Sequence, residues 1–166
     1  MRRVASWFIV AVAVMSGAYW LNAGARPAVV QPIDFSHQKH LAIKLPCAMC
    51  HRFYAARQSS GRPGVAICAM CHAATAPKSP EMVKLRGFID QKREIPWQRV
   101  YKVPEHVFYS HRTHVVDAKV ECAVCHGAVE KQTAALTGPL KPISMDACMS
   151  CHRDRKVTND CNACHK

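Results

Sequence analysis

The sequence has no cysteine outside one repeated frame, C-x-x-C-H. All ten cysteines of the 166-residue chain belong to five such motifs. A disulfide scaffold would not require a histidine directly after each second cysteine. Paired zinc knuckles also contain C-x-x-C, but five knuckles would leave one unmatched. In chain order the motifs, called sites I to V, are Cys47/Cys50/His51, Cys68/Cys71/His72, Cys122/Cys125/His126, Cys148/Cys151/His152 and Cys161/Cys164/His165.

The C-x-x-C-H frame is typical of c-type haem attachment. Two thiols one helical turn apart can reach the two vinyl groups of one porphyrin and form thioethers. The histidine then lies under the ring, where its imidazole can bind the iron from the proximal side. We therefore predict five covalently bound haem c groups, one at each site, with the motif histidines as proximal iron ligands.

Five histidines lie outside the motifs: His37, His40, His106, His111 and His114. Their number equals the number of irons that need a sixth ligand, and imidazole is a standard axial ligand of haem iron. We therefore predict that all five are distal ligands and that every iron is bis-histidine. His106 differs from the other four because it has no counterpart in the first half of the chain.

The chain contains an internal repeat. "DFSHQKHLAIKLPCAMCH" (34–51) aligns with "FYSHRTHVVDAKVECAVCH" (108–126), and a second attachment site follows each copy. The second copy adds a third site close behind. We predict a two-haem module over residues 27–78 and a three-haem module over residues 106–166. Repeats of this kind stack and bury a shared core, which here would be porphyrin.

The F-x-H-x-x-H…C-x-x-C-H arrangement resembles the class III multihaem cytochromes c over residues 33–166. The stretch "IPWQRVYKVPEHVFYSHRTHV" (95–115) is similar to the pentahaem subunit of alternative complex III and related membrane quinol-oxidising complexes. The resemblance implies short helices and loops around five stacked haems, with little regular secondary structure. It also implies partners: an integral membrane quinol-binding subunit, other subunits of a redox complex, and other cytochromes c or periplasmic redox proteins.

The same resemblance implies which distal histidine serves which haem. In class III cytochromes the first histidine of the pair caps the following haem, and the second caps a neighbouring one. Carried over to this chain, the pairs are His37 with site I, His40 with site II, His111 with site III and His114 with site IV. His106 is then left for site V. Met145 is the alternative, because triple-haem relatives place a capping histidine three residues before the cysteine that here is Cys148.

The N-terminal segment has no charged residue between Arg3 and Arg26. C-type haem is attached outside the cytoplasm, so the chain must be exported. Its 18-residue run "VASWFIVAVAVMSGAYWL" is longer than the ~7–15 apolar residues of a signal peptide and reaches the lower limit for a membrane span. We predict that residues 1–26 are an uncleaved, single-pass anchor in the cytoplasmic membrane, with the haem modules in the periplasm. A signal peptide cleaved at Ala23-Gly24-Ala25 is the alternative.

Residues 79–105, between the modules, contain no attachment site. Ser79 is suited to cap a helix, Pro80 to its first position and Glu81 to its first turn, so we predict a helix over 80–92. "QRVYKVP" beyond it is predicted to be extended as far as Pro104. Elsewhere we expect loops and one-turn helices at the haem motifs. So small a polypeptide cannot bury a large side-chain core, and we expect the apo-protein to be largely unfolded.

Acidic residues are scarce: 11 Asp and Glu stand against 23 Lys and Arg, a net charge of +12. An exported chain without a groove-reading motif does not bind nucleic acid. Five oxidised haems, each with two propionates, would lower the charge to about +7. The densest basic run comprises Arg86, Lys92, Arg93, Arg99 and Lys102, which could contact an acidic partner or anionic lipid headgroups.

Two classes of function fit these features. The first is a non-catalytic, membrane-anchored electron-transfer subunit, with a soluble periplasmic shuttle as its variant. The second is a multihaem reductase of a small nitrogen or sulfur oxyanion, which needs an iron with an open position. The sequence has no C-x-x-C-K variant, and its spare histidines equal its haems. We therefore predict an electron-transfer subunit with no catalytic residues of its own.

Overall fold

The computed structural model describes residues 28–165, which form short helices joined by loops. An isolated antiparallel bridge joins Val107 to His165, and this part of the chain contains no strand. The α-helices are α1 (His37–Ala42), α2 (Cys47–Cys50), α3 (Val65–His72), α4 (Pro80–Asp90), α5 (Cys122–His126), α6 (Met145–Asp154) and α7 (Cys161–Cys164). A π-helix covers Arg112–Asp117 and a 3₁₀ helix covers Val129–Lys131.

The predicted membrane anchor, residues 1–26, lies outside the described residues. Between residues 28 and 165 no helix has both the length and the apolar character that crossing a membrane requires.

The predicted helix between the modules is confirmed as α4. It begins where the sequence indicates, with Pro80 in its first turn and the Ser79 hydroxyl accepting a hydrogen bond from the Met82 amide at 3.3 Å. It ends two residues before the predicted boundary. There Lys92 takes a left-handed conformation with φ of 52°, and the Arg93 amide donates to the Phe88 carbonyl at 3.0 Å. This bond closes the helix in the manner of a Schellman cap.

The side-chain core is small. Ile33, Val65, Leu85 and Ile95 form one buried cluster, against which partly buried residues of α3, α4 and the following segment pack. Trp97, one of these, donates from its indole nitrogen to the Pro63 carbonyl at 3.2 Å. Residues 79–97 therefore pack against the helix of site II instead of lying free between modules.

The motif helices are of two kinds. Those of sites I, III and V have four or five residues, as expected of single turns. The expectation was wrong for α3, with eight residues, and α6, with ten. Helix α3 starts at the buried Val65, whose amide donates to the Glu94 carboxylate at 2.9 Å. Helix α6 starts after Ser144, whose hydroxyl accepts from the Ala147 amide at 3.2 Å. In both helices a side-chain hydrogen bond caps the N-terminus before the motif begins, so the helix is longer than the single turn of the motif.

The two predicted modules are joined by hydrogen bonds between distant parts of the chain. The Val29 amide donates to the Thr137 carbonyl at 2.8 Å, and the Gln38 amide donates to the Gln132 carbonyl at 3.0 Å. The Asp34 carboxylate accepts from the Ala135 amide at 2.6 Å. Because α1 also packs on the 3₁₀ helix, the segment that carries the first histidine pair lies against the second module.

Candidate haem-binding sites

Each attachment motif begins as a helical turn, which brings its two cysteines together. All ten cysteines are free of disulfides. At sites I, III, IV and V the first cysteine is exposed and the second is half-buried. Site II has the opposite arrangement, because Cys68 packs against the core cluster while Cys71 is exposed. Every motif thus presents two thiols on one turn, directly before a histidine.

Each of four spare histidines faces a motif histidine. Two nitrogen ligands on opposite sides of one metal, each about 2.0–2.1 Å from it, place their imidazole centres roughly 6 Å apart. The observed distances between ring centroids fall near this value. They are 6.2 Å for His40 and His72 (site II), 6.3 Å for His111 and His126 (site III), 6.1 Å for His114 and His152 (site IV), and 5.6 Å for His106 and His165 (site V).

The fifth spare histidine, His37, lies near His51 of site I. Burial lowers the pKa of His37, and the nearby rings of His51 and His40 lower it further. Its ring also lies edge-on to Phe35, with centroids 4.9 Å apart. The structure therefore brings each spare histidine to the motif histidine with which the resemblance pairs it.

Backbone carbonyls hold five of these imidazoles through Nδ1. A carbonyl can only accept, so Nδ1 carries the proton and Nε2 keeps the lone pair that binds a metal. The carbonyls and distances are Ser36 at 2.8 Å (His40), Gly61 at 2.8 Å (His51), Gln58 at 2.6 Å (His111), Ser110 at 2.8 Å (His114) and Thr158 at 2.7 Å (His152). The tautomer of each ring suits coordination through Nε2.

The electrostatic surroundings favour neutral imidazoles. Burial lowers the pKa of His72, and the nearby His40 adds to this. Burial likewise lowers the pKa of His126, with smaller effects from His111 and His51. Since iron binds the neutral form of histidine, pairs of partly buried rings that disfavour protonation are suited to hold it. Within residues 28–165 the Nδ1 atoms of His37 and His72 are buried without a hydrogen-bond partner.

Neighbouring thiols show how the five sites adjoin one another. Burial raises the pKa of the Cys68 thiol, and the nearby Cys50 raises it further, so sites I and II are adjacent. The pKa of Cys122 is raised by burial and then by Cys47, with which it is in hydrogen-bond contact, so site III adjoins site I. These two contacts place site I between sites II and III.

The remaining contacts continue the series. Burial raises the pKa of Cys125, and Cys151 of site IV adds to it. Burial also raises the pKa of Cys148, followed by Cys125 of site III and Cys164 of site V. The five sites therefore adjoin in the order II, I, III, IV and V.

The donor set distinguishes haem from zinc. A structural zinc site needs four protein ligands around one ion. Within residues 28–165 no group of three or more His, Cys, Asp or Glu side chains could hold a metal ion. Facing pairs of imidazoles could instead hold a haem iron, whose remaining ligands the porphyrin would supply. The residues present therefore fit haem c.

At site V the structure brings His106 to the motif histidine. The centroids of the His106 and His165 rings are 5.6 Å apart, and their planes are nearly parallel, at 18° to each other. The Phe108 amide, close by in the chain, donates to the Cys164 carbonyl at 2.7 Å. Met145 begins α6 and is 61% exposed.

Two side chains beside the sites were missed by the sequence interpretation. The Tyr101 hydroxyl donates to the His126 carbonyl at 3.1 Å and accepts from the Leu140 amide at 2.9 Å. Arg86, which was counted in the basic run, donates to the His72 carbonyl at 3.3 Å and to the Thr75 carbonyl at 2.6 Å. Neither has a signal in the sequence, because bonds to backbone carbonyls leave no residue pattern.

Comparison with known proteins agrees with this chemistry. The family described as cytochrome c7 and related cytochrome c matches residues 107–166, which contain sites III to V. The multihaem cytochrome c subunit of menaquinone reductase from Nitratidesulfovibrio vulgaris (strain Hildenborough) is 30% identical over 156 residues. This match covers 81% of the present chain and 74% of the relative. The chain therefore belongs to the multihaem cytochromes c, and it is similar to the cytochrome subunit of a menaquinone reductase.

Proposed function

We propose that the chain binds five haem c groups and is the electron-transfer subunit of a membrane quinone-reactive complex. It carries electrons between an integral membrane quinol-binding subunit and periplasmic redox partners. The observation that carries the proposal is the set of facing histidine pairs, with ring centroids 5.6–6.3 Å apart at four adjoining sites. Haem c, when bound, supplies a one-electron change of oxidation state at iron.

The cysteines of sites I to V are the thioether attachment points, and the motif histidines are the proximal ligands. The distal ligands are His37, His40, His111, His114 and, at site V, His106 in place of Met145. Two imidazoles held on opposite sides keep the geometry nearly the same in both oxidation states. They also leave small molecules no axial position, which favours electron transfer over oxyanion reduction.

The order of the sites supports a conduit. Because sites II, I, III, IV and V adjoin in series, the two-haem module (27–78) and the three-haem module (106–166) form one path with sites II and V at its ends. The segment 79–105 then supports site II through α4. Site II also receives Arg86, which ties α4 to the backbone that follows His72.

The membrane partner follows from the N-terminal segment and from the relative. Residues 1–26 anchor the chain in the cytoplasmic membrane with the haem modules in the periplasm. One transmembrane helix cannot enclose a quinol headgroup, so quinone chemistry belongs to a multi-helix partner. The relative is named as the cytochrome subunit of a menaquinone reductase, which makes such a partner the natural one for this chain.

Intact mass spectrometry of the mature protein tests the cofactor content. We expect the mass of the polypeptide including residues 1–26 plus five haem masses. A shift of four haems or fewer would refute the pentahaem assignment, and a polypeptide starting near Arg26 would refute the anchor.

Purification from gently solubilised membranes tests the assembly. We expect the haem protein to resist extraction by alkaline carbonate and to co-purify with a multi-helix subunit that binds a quinone. The soluble shuttle would be supported instead if carbonate released the protein and if the released protein, without other subunits, exchanged electrons with soluble cytochromes.

A further inference from the structure

We propose that one loop, residues 53–61, positions the axial imidazoles of sites I and III together and so sets the properties of the haems where the two modules meet. The inference rests on the proposed function, because it assumes that His51 and His111 bind iron. Two carbonyls of this loop, here called the bridging loop, carry the argument. Gly61 accepts from His51 Nδ1 at 2.8 Å, and Gln58 accepts from His111 Nδ1 at 2.6 Å.

The contact with His111 is unlike the other carbonyl contacts of the imidazoles. His40 and His114 each donate to the carbonyl four residues earlier, within their own segment. His152 donates to a carbonyl six residues later. His111 instead donates to a carbonyl 53 residues away, in the other module. The bridging loop therefore holds the proximal imidazole of site I and the distal imidazole of site III, which adjoin through Cys47 and Cys122.

Internal contacts keep the bridging loop in one shape. The Phe53 amide donates to the Ser60 carbonyl at 2.9 Å, and the Arg57 amide donates to the Phe53 carbonyl at 2.8 Å. The Arg57 guanidinium lies 4.3 Å from the centre of the Phe53 ring. These contacts fix the distance between the two carbonyls that face the imidazoles.

Gly61 is the residue on which this shape depends. Its φ of 83° is in the left-handed region, and an added Cβ would lie 2.6 Å from Phe53 Cδ2. A side chain at position 61 would therefore displace the Phe53 ring and turn the Gly61 carbonyl. The loop could not then hold both imidazoles as it does.

A carbonyl on Nδ1–H increases the electron donation of Nε2 to the metal and fixes the plane of the ring. The more basic imidazole favours the oxidised iron, so these two bonds lower the reduction potentials of sites I and III. Loss of the loop geometry should raise both potentials together. We expect a change of up to about tenfold in the oxidation equilibrium at each, or about 59 mV for one electron.

The test compares Gly61→Ala with Gly138→Ala, which introduces the same methyl group at a position with nothing within 4 Å. Haem methyl resonances of the ferric protein, assigned site by site, report the orientation of each imidazole. Potentiometric titration reports the potentials. We expect Gly61→Ala to shift the methyl signals and raise the potentials of sites I and III, and the control to shift neither. Should Gly61→Ala fail to assemble, Phe53→Leu loosens the same loop and should affect the same two sites.

Three results would overturn the proposal: a change at one of the two sites alone, a change at neither, or an equal change at all five. Failure of the proposed function gives a different result. In that case the unmodified protein itself would lack five low-spin ferric haems, whereas failure of the bridging loop leaves those haems in place and unaffected by Gly61→Ala.

Discussion

The two copies of the histidine-pair segment are nearly the same at their start and different at their end. In each copy the aromatic residue lies edge-on to the first histidine, with ring centroids 4.9 Å apart. It stacks on the second histidine, at 4.3 Å in the first copy and 5.0 Å in the second. The carbonyl of the following serine accepts from Nδ1 of the second histidine at 2.8 Å in both.

The two copies differ by one residue in the spacing between the second histidine and the first cysteine. Cys47 follows His40 by seven positions, whereas Cys122 follows His114 by eight. The first copy forms the α-helix α1, and the second forms the π-helix Arg112–Asp117, in which the Ala118 amide donates to the Thr113 carbonyl at 2.9 Å. A π-helix is the form that a helix takes around an inserted residue. Both copies then leave the helix through a lysine of positive φ three residues before the first cysteine, Lys44 and Lys119.

The comparison shows where the repeat tolerates change. The histidine pair and the attachment turn are constrained at both ends of the segment, so the extra residue is absorbed between them. The aromatic ring and the two histidine rings therefore have nearly the same arrangement in both copies, although the first copy is an α-helix and the second is a π-helix.

The largest effect should come from replacing His106, which has no counterpart in the first module. Replacing His106 with Ala removes the ring that faces His165, so the haem proposed for site V would lose its sixth ligand. We expect one haem of five to become high-spin and to bind carbon monoxide rapidly in the ferrous state. Electron paramagnetic resonance and carbon monoxide difference spectra measure this.

Met145→Ala is the matched control for site V and should open no haem, since Met145 is 61% exposed. If Met145→Ala opened site V and His106→Ala did not, the distal ligand would be Met145.

Single-residue deletions should separate the two copies next. Removing Asp117 gives the second copy the spacing that the first already has, so we expect an α-helix there and five low-spin haems. Removing Ala42 from α1 leaves a spacing shorter than either copy has, so His40 should lose its place opposite His72. Low-spin haem content and helicity by circular dichroism measure both. Equal damage from the two deletions would contradict the view that the π-helix is an absorbed insertion.

A hydroxyl in the segment between the modules should have a moderate effect. Tyr101→Phe removes the donor to the His126 carbonyl and leaves the Leu140 amide without its acceptor. The bond to the His126 carbonyl is partly buried and the bond from the Leu140 amide is exposed, so we expect a loss of about 0.5–1.5 kcal/mol, the usual contribution of a hydrogen bond. Guanidinium unfolding followed by visible circular dichroism measures it.

The control for the hydroxyl is Tyr109→Phe, which keeps both ring contacts with His111 and His114. It should cost less than Tyr101→Phe. The reverse order would show that the Tyr101 contact contributes little to site III.

Local features of the sequence predicted local features of the structure. Ser79 and Pro80 predicted the start of α4, and the resemblance to class III cytochromes implied which histidines would face each other. Their coordination of iron stays a prediction. The contact from Gln58 to His111 could not be foreseen, because a backbone carbonyl is present in every residue and the loop that carries it lies far away in the chain. The π-helix could have been suspected from the one-residue difference between the copies.

The smallest effect should come from Glu81 in α4. This helix follows site II of the first module, whereas in the second module a further attachment site, site V, follows site IV. The Glu81 carboxylate accepts from Lys84 Nζ and from the Asp34 amide, each at 2.7 Å, and so ties α4 to the segment before α1. The Lys84 hydrogen bond first, and the Asp34 amide next, hold the pKa of Glu81 below its usual value. A carboxylate with a lowered folded-state pKa stabilises the fold above its unfolded pKa, about 4.3 for glutamate.

The stabilisation of the fold by Glu81 is therefore complete near neutral pH. It is lost as the pH falls below the unfolded pKa of about 4.3 and then through the lower pKa of the folded state. Glu81→Gln, which keeps an acceptor but removes the charge, should make stability between pH 6 and about pH 3 slightly less dependent on pH than in the unmodified protein. The effect is small because the carboxylate is exposed to solvent, where water and salt screen its charge. Unfolding midpoints in guanidinium at a series of pH values measure the difference. Asp90→Asn is the control on the same helix, because it removes a carboxylate that lies 3.9 Å from Arg86, a distance too long for a strong hydrogen bond. A steeper loss of stability with acid in Glu81→Gln than in the unmodified protein would contradict the assigned sign.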